Sequence, residues 1–185
     1  MRPKALLIRS VMVDRYLYDL AKISEPQVKP SQLARALGIR VVTVPNLIEA
    51  GHLATVNGQT TIAVRASHRE KQFVIAHELA HFAGIEDEDE ADIAAASLVC
   101  RSPFGGTWSE LAERHGTSET LIALRWAEVT GEPCAVVSPH RVRSRGFAAV
   151  PEVIRGWVRR PIPGVRSVRL RDDRKRFAAV AAAVA

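Results

Sequence analysis

Phe73-Val74-Ile75-Ala76-His77-Glu78-Leu79-Ala80-His81 is the stretch around which the rest of the chain is read. Its apolar residues surround two histidines four positions apart, which on a helix share one face one turn apart. Glu78 follows the first of them, giving the pattern H-E-x-x-H. Two neutral imidazoles at this spacing can share one zinc ion, and the neighbouring glutamate can accept a proton from water during metal-assisted hydrolysis. In a chain with six histidines and thirteen glutamates, the pattern arises by chance in roughly one sequence of this length in a hundred. A third ligand therefore has to decide.

Upstream, the periodicity predicts a central helix over Arg69–Phe82, with few charges after Lys71 and with Gly84 as its stop. Before it, His52–Val56 and Gln59–Val64 flank Asn57-Gly58, the dipeptide of a two-residue type I′ hairpin turn. Arg40–Val44 is rich in β-branched residues and reads as a strand. Lys29-Pro30-Ser31 opens a short helix with Leu33, Ala34 and Leu37 as its stripe and Gly38 as its end. Leu6–Ala21 carries Val13, Tyr16, Leu17, Leu20 and Ala21 near helical spacing and reads as an amphipathic helix. The fold class is therefore α+β and mostly helical, with a small sheet ahead of the histidine helix.

Downstream, Glu88–Cys100 is the next helix, with the small stripe Ala91, Ala95 and Leu98. The run Glu86-Asp87-Glu88-Asp89-Glu90 sits where the helix dipole favours carboxylates. Glu88 and Asp92 share a face, and a sharp turn after Gly84 folds that face over the imidazoles. On this basis Glu88 is the third ligand of one zinc per chain, and Asp92 accepts a hydrogen bond from an imidazole and fixes its tautomer. Glu90, about 200° around the helix from Glu88, is the alternate ligand.

The run Gln59–Val64, the segment Arg69–His81 and Glu88-Asp89-Glu90-Ala91-Asp92 with its Ala-rich continuation together resemble the ImmA/IrrE family of metallopeptidases. So do Leu111–Ser118 and Arg125–Pro133, which resemble the helical pair that follows the metal site in that family. The resemblance implies a zincin-like minimal core over residues 1–104 and zinc on His77, His81 and Glu88, with Glu78 as general base. It implies a regulatory peptidase whose substrate is a helix-turn-helix repressor, so that cleavage relieves repression of a mobile element, prophage or stress regulon. Two features depart from the family pattern. The link from His81 to Glu88 is short, and Arg101 stands where proline is common.

Residues 105–140 read as a helix-turn-helix-like buttress. Thr107 and Glu110 make a capping box, Gly116 turns the chain, and Ser118 caps the second helix. The spacing of Ala112, Gly116 and Ile122 suits a DNA-binding unit, but five glutamates stand against Arg114 and Arg125 between Thr107 and Pro133. Phosphate would repel that balance, so a DNA- or protein-binding regulator is the weaker alternative.

The net charge of +6 is unevenly distributed: residues 141–185 hold twelve Lys/Arg against three Asp/Glu, and residues 1–140 hold fourteen against seventeen. Residues 141–185 form a basic extension in which Arg141, Arg143 and Arg145 are candidate contacts to nucleic acid or another acidic partner. Cys134–Val137 reads as a strand, Val165–Leu170 as an edge strand, and Ala178–Ala185 as a frayed helix. His115, His140 and Tyr16 are able to donate a hydrogen bond to an oxyanion. The apolar window Ala5–Leu20 is interrupted by Arg9, Asp14 and Arg15, and Cys100 and Cys134 lack CxxC partners. Both observations point to a cytoplasmic protein with no membrane partner.

Overall fold

The Asn57-Gly58 turn organises the first sheet. In a computed structural model of the chain, Asn57 and Gly58 adopt φ values of 50° and 76°, as a type I′ turn requires. They join β2 (Gly51–Val56) to β3 (Gln59–Arg65), with Val56 opposite Gln59 and Gly51 opposite Val64. β1 (Arg40–Val44) lies on the other side of β3 and runs parallel to it, so the order is β1-β3-β2 and β2 is an edge strand. Ile62 and Val64, two apart on β3, are both buried, the period-2 signature of a sheet with one covered face. The structure describes residues 3–24, 28–101, 105–138, 142–147, 151–160, 165–170 and 177–181. These fall in two compact units, Met1–Arg101 and Ser102–Ala185, in an α+β fold.

In the first unit α1 (Pro3–Ala21) and the short α2 (Pro30–Ala36) precede the sheet, and α3 (Lys71–Phe82) and α4 (Glu88–Val99) follow it. α3 buries Val74, Ile75, Ala76, Leu79 and Ala80 together with Glu78. Ala80, Ala91 and Ala94 form a core where α3 meets α4, with Val13 and Ile85 packed against them. Methyl side chains there allow the two helix axes to come close. The acidic N-terminus of α4 is capped by Asp87, whose carboxylate accepts from the Glu90 N–H at 2.9 Å.

A buried polar tie joins α1 to α4. Ser97 Oγ donates to Asp14 Oδ2 at 2.6 Å, and Arg101 Nε lies 3.9 Å from the same oxygen. The Arg101 guanidinium also stacks over the Tyr18 ring at 3.9 Å.

In the second unit α5 (Trp108–His115) and α6 (Glu119–Thr130) are joined through Gly116 at φ 61°. Thr107 and Glu110 form the reciprocal capping box, at 2.8 and 3.3 Å, and Ser118 Oγ accepts from the Leu121 N–H at 3.3 Å. A four-stranded sheet follows in the order β5-β4-β7-β6, from β4 (Cys134–Val137), β5 (Val142–Arg145), β6 (Val165–Arg169) and β7 (Phe177–Ala181). β4 is buried on both faces. Cys134 and Val136 pack with Ala123, Leu124 and Ala127 of α6, while Ala135 and Val137 pack with Ile154 of α7 (Pro151–Arg159). Burial pushes the Cys134 thiol up to about 12, which leaves it inert as a nucleophile.

One expectation is corrected here. Phe177–Ala181 is a strand and not the start of a frayed helix: β7 pairs antiparallel with both β4 and β6, and Ala178 stands opposite Val136 and Val168. Two hydrogen-bonded neighbours outweigh the helix preference of alanine, which is worth less than about 1 kcal/mol per residue. Residues 182–185 lie outside the described ones. Val165–Arg169 is the edge strand expected, and among the described residues no helix is long and apolar enough to cross a membrane.

Because Asp14 is buried, removing its 2.6 Å donor leaves a charged acceptor short of one bond. Ser97→Ala should lower the unfolding free energy by about 2 kcal/mol in urea titration. An unchanged midpoint would show that Asp14 does not depend on Ser97.

Candidate metal centre

The site is assembled by two helices and the five-residue link between them. α3 ends at Phe82, and Gly84, at φ 92°, reverses the chain. The Ile85 N–H then bonds back to Ala80 O at 3.1 Å and the Gly84 N–H to His81 O at 2.9 Å, the paired bonds of a Schellman motif. This reversal turns the Ile85 carbonyl onto the His81 ring, whose Nδ1–H it accepts at 2.6 Å. It also starts α4 at Glu88, directly over the two imidazoles.

His77 is oriented from the other helix. Its Nδ1–H donates to Asp92 Oδ1 at 3.0 Å, one turn beyond Glu88. Because an acceptor faces the Nδ1 of each ring, the neutral tautomer carries its proton there and leaves Nε2 with a lone pair. Those two Nε2 atoms lie 3.0 Å apart. The Glu88 carboxylate completes the group, with Oε2 3.1 Å from His77 Nε2 and Oε1 3.6 Å from His81 Nε2. One ligand atom from each of His77, His81 and Glu88 lies within 4.8 Å of the others.

Electron pairs held this close repel unless a proton or cation sits among them. The N,N,O donor set can hold a metal ion. The two nitrogens are separated by close to the ~3.3 Å expected of tetrahedral neighbours on one ion. Burial alone would lower the His77 pKa, but the Asp92 hydrogen bond and charge, with Glu78 and Glu88 nearby, carry it above its ordinary value. An extra proton on His77 is therefore the natural competitor of a metal. Glu78 is buried and its pKa is raised chiefly by that burial, against the opposing charges of His77, His81 and His52.

No family model matches the chain, and no curated protein matches it significantly.

The remaining candidates are distributed as follows. Glu90 is not among the grouped ligand atoms; its backbone N–H serves the Asp87 cap. Tyr16 is largely exposed on α1, and His115 ends α5 in the second unit. Arg145 Nε donates to Glu128 Oε1 at 3.1 Å, so its charge is engaged, while Arg143 is exposed on β5. Arg141 and His140 lie outside the described residues. α6 buries Thr120, Leu121, Ile122, Ala123, Leu124, Arg125 and Ala127, which leaves little of that helix to enter a groove.

Sequence reasoning missed two contributors. The Ile85 carbonyl is a backbone group with no residue-type signal, although the helix-terminating Gly84, three residues after His81, hints at it. Gly51 approaches Glu78 through the tertiary packing of β2 on α3, which no local pattern reports.

Asp92→Ala should weaken zinc binding by about 10–100-fold, measured by competition with a chromophoric chelator at about pH 7.5. Equal affinity in the variant would mean that Asp92 does not orient His77.

Proposed function

We propose that the chain is a zinc metallopeptidase of the ImmA/IrrE type, with a zincin-like core in its first unit and one zinc per chain. It hydrolyses a peptide bond in a protein substrate, and the family resemblance implies a helix-turn-helix repressor as that substrate. The observation that carries this is the pair of Nε2 atoms 3.0 Å apart with Glu88 beside them and Glu78 adjacent in sequence. Three protein ligands and an open fourth position are the arrangement of catalytic rather than structural zinc.

Zinc bound by His77, His81 and Glu88 would polarise the scissile carbonyl and acidify water at the site. Glu78 then accepts the proton of the attacking water and later passes it to the leaving amine. Its burial favours this exchange, because a carboxylate with a raised pKa releases its proton less readily to solvent than a surface one does. Asp92 and the Ile85 carbonyl hold the imidazoles so that Nε2 of each remains directed at the site. Nothing in these roles draws on the second unit. A DNA- or protein-binding regulator remains the weaker reading, given the burial of α6 and the pairing of Arg145.

Zinc-loaded wild-type chain, mixed with the helix-turn-helix repressor encoded beside its gene, is expected to cut it. Glu78→Gln should slow the cut by at least about 100-fold while retaining the metal. The acid limb of the rate should lie above pH 4.5, the ordinary value for glutamate, since the ionised form that accepts a proton is lost as pH falls through the raised pKa. An intact repressor, or cutting by Glu78→Gln at the wild-type rate, would contradict the proposal.

A further inference from the structure

Gly51 opens β2, the edge strand of the first sheet, and its backbone lies in an extended conformation open to any residue. Alanine at such a position is ordinarily tolerated or slightly stabilising. The surroundings of Gly51 reverse that expectation. A Cβ there would lie 2.8 Å from Glu78 Oε1 and 3.2 Å from Glu78 Cγ, and closer still to Val74 Cγ1. The Val74 and Glu78 side chains therefore together occupy the space that a side chain at position 51 would fill, and Glu78 is the polar one of the two.

We propose that Gly51 is a positioning residue for Glu78: its missing side chain leaves the slot in which the Glu78 carboxylate lies, and the β2 backbone is one wall of that slot. Two consequences follow from the geometry. Glu78 is 8% exposed, so its carboxylate has little solvent-filled space into which a displaced rotamer can swing. Gly51 stands opposite Val64 in the ladder and is itself buried, and beside it the Arg65 N–H donates to Ala50 O at 2.9 Å, so the strand cannot retreat without giving up that backbone hydrogen bond. A methyl group at position 51 moves the carboxylate and leaves the Nδ1 supports of His77 and His81, which come from Asp92 and Ile85, in place. This rests on the peptidase reading only for the role of Glu78; the contact itself does not.

The test uses cobalt(II) as the probe metal in the full chain, because its visible d–d bands report on groups beside the metal without any substrate. Wild type, Gly51→Ala, Glu78→Ala and the double variant are compared. Gly51→Ala is expected to bind one cobalt per chain with affinity within about threefold of wild type and to shift the bands, while adding no shift in the Glu78→Ala background. Unchanged bands in Gly51→Ala, or an equal shift with and without Glu78, would overturn the proposal.

If Gly51→Ala does not fold, the comparison moves to thermal unfolding in the Val74→Ala background, which removes the other close contact. A drop in Tm that Glu78→Ala abolishes supports the proposal, and a drop that persists without Glu78 overturns it. With peptide substrate derived from a cut repressor, kcat should fall about 10-fold or more with KM within twofold. Absence of any proteolysis by wild type would sink the peptidase reading and leave the cobalt result to decide on Gly51 by itself.

Discussion

Two imidazole nitrogens held with their lone pairs 3.0 Å apart are the constraint on which the rest of the first unit depends. Neither ring can relieve the contact by exchanging tautomers, because the Ile85 carbonyl and the Asp92 carboxylate hold the Nδ1 protons. Moving either ring away means breaking a hydrogen bond in a half-buried setting. The fold thus maintains an arrangement that is unfavourable in isolation and favourable around a cation. Such local conflict marks functional sites in otherwise consistent structures.

The short link between α3 and α4 serves both halves of this constraint. Gly84 permits the reversal, the reversal presents the Ile85 carbonyl, and the same turn sets Glu88 at the first position of α4. A longer link would separate these tasks. Alanines at 80, 91 and 94 bring the two helices close enough for Asp92 to reach back to His77. Behind the helices, the sheet contributes through β2, whose first residue lacks the side chain that would press on Glu78. The N-terminal helix is fastened to α4 by the Asp14–Ser97 bond, so the scaffold of the site includes α1 as well as the sheet.

Much of this was legible in the residues because the signals are local. The hairpin follows from Asn57-Gly58, the stop of α3 from Gly84, the caps of α5 and α6 from Thr107 and Ser118, and the shared face of His77 and His81 from the helical repeat. Glu88 and Asp92 could be read as partners of the imidazoles because both the turn and the helix phase are written locally. What escaped depends on chain segments far apart in sequence. The parallel pairing of β1 with β3 has no local signature. Ala178–Ala181 became strand because β4 and β6 flank them, whereas their composition alone favours helix. The Ile85 carbonyl is invisible to residue type, and the need for glycine at position 51 arises only once β2 is packed on α3.

The most direct measurement is X-ray absorption at the zinc edge on the zinc-loaded full chain, with metal content determined in parallel. The account predicts one zinc per chain with two imidazole nitrogens at about 2.0 Å and a carboxylate oxygen at about 2.0–2.2 Å. One imidazole and most of the affinity should be lost in His77→Ala. A folded chain that takes up no zinc, or zinc held equally well after both His77→Ala and His81→Ala, would contradict it.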